Sequence, residues 1–281
     1  MNLSVQEKSR LEFRAETAGP PLTLEELERA VHYADPRALL VLPRILRRVI
    51  KEDCQLTGWG LKVPHRKSYL IPSQRLLEIV DPIELELAVD YVFPETVILL
   101  AQPDADKLAA MPPADALIRC WRLLFHARIH EALEQAVAAG RLSPALVRQR
   151  IIQLGPVEFD EIRAVLQHES YLLPPRDDLQ VYVEFAAVYL ELRYFAPSLL
   201  PRYFPTLDDL EAVDRLLVAD LDAEGLFRAT RPMGSPEPVD VSVVHEWQDW
   251  LDAEETPDSD PPPETPEPSE EDFRGLMRRA E

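Results

Sequence analysis

Apolar residues recur at helical spacing over most of the 281-residue chain, and breaks in that period divide it into elements. Thr23 reads as an N-cap, with Glu26 completing a capping box ahead of Leu24, Leu27 and Val31. Asp35-Pro36 restarts a helix that runs to about Asp53, with Pro43 as a kink or interruption. The period stops from Gln55 to Ser73. There Leu61–Val63 and Tyr69–Ile71 pair as a small hairpin, giving a β element near 60–71. Short helices are expected near 74–80 and 82–92, and the proline-broken stretch 93–112 reads as a packed connector.

The clearest element is a long helix from Pro113 to Ala139, closed by Gly140. Helices follow from Pro144 to Gly155, from Pro156 to about Glu169, from Asp177 to Phe195 and, capped by Thr206, from about Leu207 to Leu221. A last short helix is expected over 241–251. The fold class is therefore all-α: an irregular multi-helix domain, solenoid-like in outline, although no fixed repeat period is found. Ser68-Tyr69-Leu70-Ile71-Pro72 is echoed by Ser170-Tyr171-Leu172-Leu173-Pro174, which coincidence or an old duplication would explain.

Charge alters this picture at one end only. The chain has 30 Lys+Arg and 50 Asp+Glu, a formal net charge of -20. Residues 1–100 hold 13 basic and 15 acidic residues, residues 101–200 hold 10 and 13, and residues 201–281 hold 7 and 22. Asp252 to Asp272 carries 10 acidic residues, 6 prolines and no cation, a composition that cannot bury enough apolar surface to order itself. The expected organisation is a flexible segment 1–19, a helical domain 20–251, a disordered acidic linker 252–272 and an apolar-basic motif at 273–281, with Phe273, Leu276, Met277 and Arg278 as its contacts.

The acidity disfavours nucleic acid as a general partner. The longest apolar runs, such as Val97 to Ala101, are far too short to span a bilayer, and the N-terminus has no signal-peptide core. Cys54 and Cys120 have no metal-type spacing and read as thiols of a reducing compartment, so a cytoplasmic location is expected.

Candidate chemistry is sparse. No phosphate-binding glycine loop and no nucleophile elbow occurs. His126 and His130 lie four apart on one face of the long helix, a metal-ligand spacing, without the glutamate that a zinc-protease helix places after its first histidine. In projection they point away from the helix's apolar arc, towards solvent or a peripheral contact. A third ligand would come from His168, Glu169 or Glu184, with Glu169 taken first.

The helix from Asp177 to Phe195 is apolar around most of its circumference, with Glu184 and Glu191 in one narrow polar stripe. That stripe is either its solvated edge or the lining of an internal cleft that needs a cation. Arg128 falls inside the apolar arc of the long helix, and Glu184 is its expected ion-pair partner. The one concentrated positive region combines Arg44, Arg47 and Arg48 with Trp59, Lys62, Arg66 and Lys67. It is a solvated face, a site for an anion or partner, or a dock for the acidic tail.

Taken together, the sequence favours a non-enzymatic interaction or scaffold domain with an acidic tether, an unidentified protein partner and no obligatory cofactor. A metal-dependent hydrolase using His126 and His130 is the alternative, and an anion or single-stranded nucleic-acid binder at 44–75 the third.

Overall fold

The computed structural model describes residues 20–56, 68–88, 90–169, 171–172 and 176–239. All of them belong to one compact unit. The expectations for residues 1–19, Trp59, Leu61–Val63, Lys62, Arg66, Lys67, the helix at 241–251, the acidic linker and the motif at Phe273, Leu276, Met277 and Arg278 lie outside the described residues.

Eleven helices and three strands make up the described chain. In order they are α1 (Leu24–Ala34), β1 (Ala38–Val41), α2 (Pro43–Asp53), β2 (Ser68–Pro72), α3 (Ser73–Ile79), β3 (Thr96–Ala101), α4 (Ala105–Ala110), α5 (Pro113–Ala138), α6 (Pro144–Leu154), α7 (Pro156–His168), α8 (Asp178–Phe195), α9 (Leu200–Tyr203), α10 (Leu210–Val218) and α11 (Ala223–Ala229). The class is helix-dominated rather than all-α.

The sheet corrects the sequence reading in three places. Residues 38–41 are a strand, and Pro43 does not kink a helix but opens α2 at its first turn, where a missing N–H costs nothing. Tyr69–Ile71 is extended as expected, but within β2 it pairs antiparallel with β3, Tyr69 opposite Leu99. The supposed connector 93–112 contains β3, the central strand, with β1 parallel on its other side. Thr96–Ala101 shows no alternation because both of its faces are buried, as in strands covered by helices on two sides. Val97 and Leu99 join α2 and α3 in one core; Ile98 and Leu100 join α1 and α5 in the other.

Further along, the expected helix at 82–92 shrinks to a 3-10 turn, Pro82–Leu85, capped by Asp81. The helix expected over 207–221 is α10 alone, and its cap is Asp209 rather than Thr206. The capping box at Thr23 forms as read, Thr23 Oγ1 accepting from the Glu26 N–H and Glu26 accepting from the Thr23 N–H. Gly155, at φ +99°, makes the turn that lets α7 start directly after α6.

α5 is the spine. One side packs Ala116, Leu117, Cys120, Leu124 and Ala127 towards the sheet. Another places Trp121 and Phe125 in an aromatic cluster with Phe195, Tyr194 and Phe227. Trp121 donates its indole N–H to the Phe227 carbonyl at 2.9 Å, which satisfies the one polar atom that this burial would strand. The remaining side faces α8. No described helix is long and apolar enough to cross a membrane. Both cysteines are free thiols, and burial pushes the Cys120 thiol up to about 12, so it is inert.

Candidate metal centre

α5 and α8 bury their polar stripes against each other. On α5, Arg122, His126 and His130 follow at intervals of four and so form one row. On α8, Glu191 and Glu184 are seven apart, two turns along one face. The early end of the α5 row meets the late end of the α8 stripe, so the helices run antiparallel and the five side chains alternate: Arg122, Glu191, His126, Glu184, His130.

The contacts fall into two classes. Arg122 Nη1 stands 3.2 Å from Glu191 Oε1, and His126 Nδ1 stands 2.8 Å from Glu191 Oε2. The second is a hydrogen bond and the first an ion pair. Glu184 is different. Its Oε1 is 3.5 Å from His126 Nε2 and its Oε2 is 3.4 Å from His130 Nε2, both long for a charge-assisted bond. Ligands held about 2.0–2.2 Å from a tetrahedral ion stand about 3.3–3.5 Å apart, and each of these two nitrogen–oxygen separations, made through a different oxygen of Glu184, falls in that range. One donor atom each from His126, His130 and Glu184 lies within 4.8 Å of the others.

The site is shielded from water. Arg122 and Glu184 are each 1% exposed and His126 is 8% exposed. Burial alone would depress the His126 imidazole, but the carboxylates of Glu184 and Glu191 outweigh it and raise the group to about 9. In the absence of an ion, His126 is therefore an imidazolium clamped between two glutamates. Tyr171, in the link between α7 and α8, feels the same charges. Its phenol is pushed well above the usual tyrosine range by burial first, then by Glu191 and Tyr203.

Several expectations change here. The histidine pair does not face solvent, because α8 covers the face that the apolar arc leaves polar. Glu184 and Glu191 line an interior contact instead of a solvated edge. Glu169 is not near the pair: it caps the end of α7 beside the exposed His168, at 4.0 Å.

Arg128 is not the partner of Glu184. It pairs with Asp35 at 3.2 Å and with Glu131, one turn on, at 2.8 Å. Arg37 completes that cluster, bonding Asp35 at 2.8 Å and Glu131 at 2.6 Å. Position along the helix decides the matter: Arg128 lies at +2 and -2 from the two histidines, on another side of α5. Sequence reading missed Arg122 as part of the row and Tyr171 as its neighbour. The signal for Arg122 was present in its spacing of four before His126.

Of the positive region, α2 presents Arg44, Arg47 and Arg48 on its outer side. Arg48 reaches Glu84 at 2.8 Å, and Arg44 acts on the same carboxylate. Arg75 is taken up by Asp53 and Glu78. This face is partly neutralised by its own surroundings.

No protein-family model matches the chain, and neither a curated protein nor a solved structure shows significant similarity to it.

Proposed function

We propose that the protein binds one divalent transition-metal ion between α5 and α8, through Nε2 of His126, Nε2 of His130 and the carboxylate of Glu184. The observation that carries this reading is the pair of 3.4–3.5 Å nitrogen–oxygen separations around Glu184, beside a 2.8 Å hydrogen bond made by the same His126 to Glu191. A two-histidine, one-carboxylate set without thiolate suits a borderline ion such as Zn²⁺ or Fe²⁺. Three protein ligands leave a fourth coordination position, and the near-complete burial of Glu184, His126 and Arg122 favours a closed, structural ion over an open hydrolytic one.

The test is elemental mass spectrometry on full-length protein purified without a histidine tag, beside the His126→Ala/His130→Ala double variant. About one metal ion per chain is expected in the parent and none in the variant. A parent that stays empty after incubation with Zn²⁺, Mn²⁺ and Fe²⁺ overturns the reading. Interaction through the acidic tether is a separate proposal, resting on the sequence of residues 252–281, and is tested by partner capture with and without that segment.

A further inference from the structure

The metal reading above leaves the two glutamates of α8 with different tasks, and the geometry points to Glu191, anchored by Arg122, as a positioning residue for the metal-ligating imidazole of His126. Both oxygens of Glu191 are engaged: Oε1 with Arg122 at 3.2 Å and Oε2 with His126 Nδ1 at 2.8 Å. Glu191 is not in the group of His126, His130 and Glu184 whose donor atoms lie within 4.8 Å of one another. Glu184 offers one oxygen to each histidine, which is the arrangement of a ligand.

The chemistry follows from the imidazole's two nitrogens. Coordination at Nε2 requires the lone pair there, so the ring proton must reside on Nδ1. A carboxylate 2.8 Å from Nδ1 holds the proton at that nitrogen, fixes the plane of the ring and raises the basicity of Nε2. Glu191 would itself swing towards a nearby ion if it were free to do so. Arg122, 1% exposed and one helical turn before His126, forms an ion pair with its other oxygen and opposes this. The guanidinium also supplies the positive charge that a second buried carboxylate beside Glu184 needs. Arg122, Glu191 and His126 thus form a relay of orientation ending at the ion, and none of its first two members touches the metal.

The experiment is a Zn²⁺ competition titration against a chromophoric chelator, on the full chain and on Glu191→Gln, Glu191→Ala and Glu184→Ala. It is paired with the visible absorption of the Co²⁺-loaded forms. Glu191→Gln keeps a hydrogen-bond acceptor for Nδ1 but loses the charge, and should weaken Zn²⁺ about 10-fold. Glu191→Ala should approach 100-fold, the upper end for loss of a group that orients a metal-bound histidine. Both should still reach one Zn²⁺ per chain and both should shift the Co²⁺ band, which a role confined to folding would leave in place. Glu184→Ala should abolish stoichiometric binding.

Glu191→Ala leaves Arg122 without its carboxylate and can fail to fold, in which case the near-isosteric Glu191→Gln carries the test. Parent affinity and an unshifted Co²⁺ band in Glu191→Gln would overturn the assignment. So would complete loss of binding in that variant, because Glu191 would then be a ligand. A parent chain that takes up no Zn²⁺ overturns the centre and this inference with it, whereas unchanged affinity in the Glu191 variants overturns the inference alone.

Discussion

Two charge clusters sit on the same helix, one part-buried and one buried, and they are built to opposite rules. Asp35, Arg37, Arg128 and Glu131 tie the α1–β1 turn to α5 with two cations and two carboxylates at 2.6–3.2 Å. Every charge there has an opposite charge at bonding distance, and no member is a histidine. Arg122, His126, His130, Glu184 and Glu191 tie α8 to α5, but two of their contacts stand at 3.4–3.5 Å and two members are histidines. Distances at contact mark a cluster whose partners are all supplied by the chain. Distances opened by about half an ångström, at groups that bind metals, mark one with room for a cation.

The largest effect should come from breaking the closed cluster. Glu131→Ala leaves Arg37 and Arg128 sharing Asp35 alone, and because both guanidinia keep some contact with water the cost should be about 3 kcal/mol, the low end for breaking a buried pair. Chemical denaturation should show that loss while Zn²⁺ stoichiometry stays at parent level. A Glu131 variant of parent stability would mean the closed cluster is not structural, and the contrast between the two would fail. Next in size is the response to the ion. Zn²⁺ at about 100 times its dissociation constant should stabilise the protein by about 2.7 kcal/mol, moving the thermal midpoint several degrees. Glu184→Ala should lose that shift and Glu131→Ala should keep it.

How much of this contrast the sequence carries depends on the kind of residue. The capping box at Thr23, the span of α5 and the spacing of His126 and His130 are local features, and local chemistry determines them. β3 was hidden because a strand buried on both faces has no alternation, and a run as short as Val97–Ala101 resembles a fragment of buried helix. The pairing of Arg128 was hidden for a different reason. Helical projection shows which side of α5 a residue occupies but not which element covers that side, and Asp35 is 93 residues away. The burial of His126 follows the same logic: two helices with narrow polar stripes can hide them only against each other, and nothing in either helix alone announces the partner.

The smaller and more discriminating difference between the clusters is in pH. In the metal-free protein the His126 imidazole is held to about 9, above its ordinary value of about 6.5. A group whose folded-state value is raised contributes stability that is fully present below the unfolded value and is lost as pH rises through the folded one. Chelator-treated protein should therefore keep its stability up to about pH 6.5 and lose on the order of 2–3 kcal/mol by pH 9–10. Zn²⁺ should invert the dependence: protons compete with the ion for Nε2, so affinity should climb over the same range and the loaded protein should lose little. Denaturation midpoints across pH 6–10, with and without Zn²⁺, separate these outcomes. A metal-free slope that survives in His126→Ala would place the titration elsewhere and remove the distinction between a site that holds a proton until an ion arrives and a cluster that needs neither.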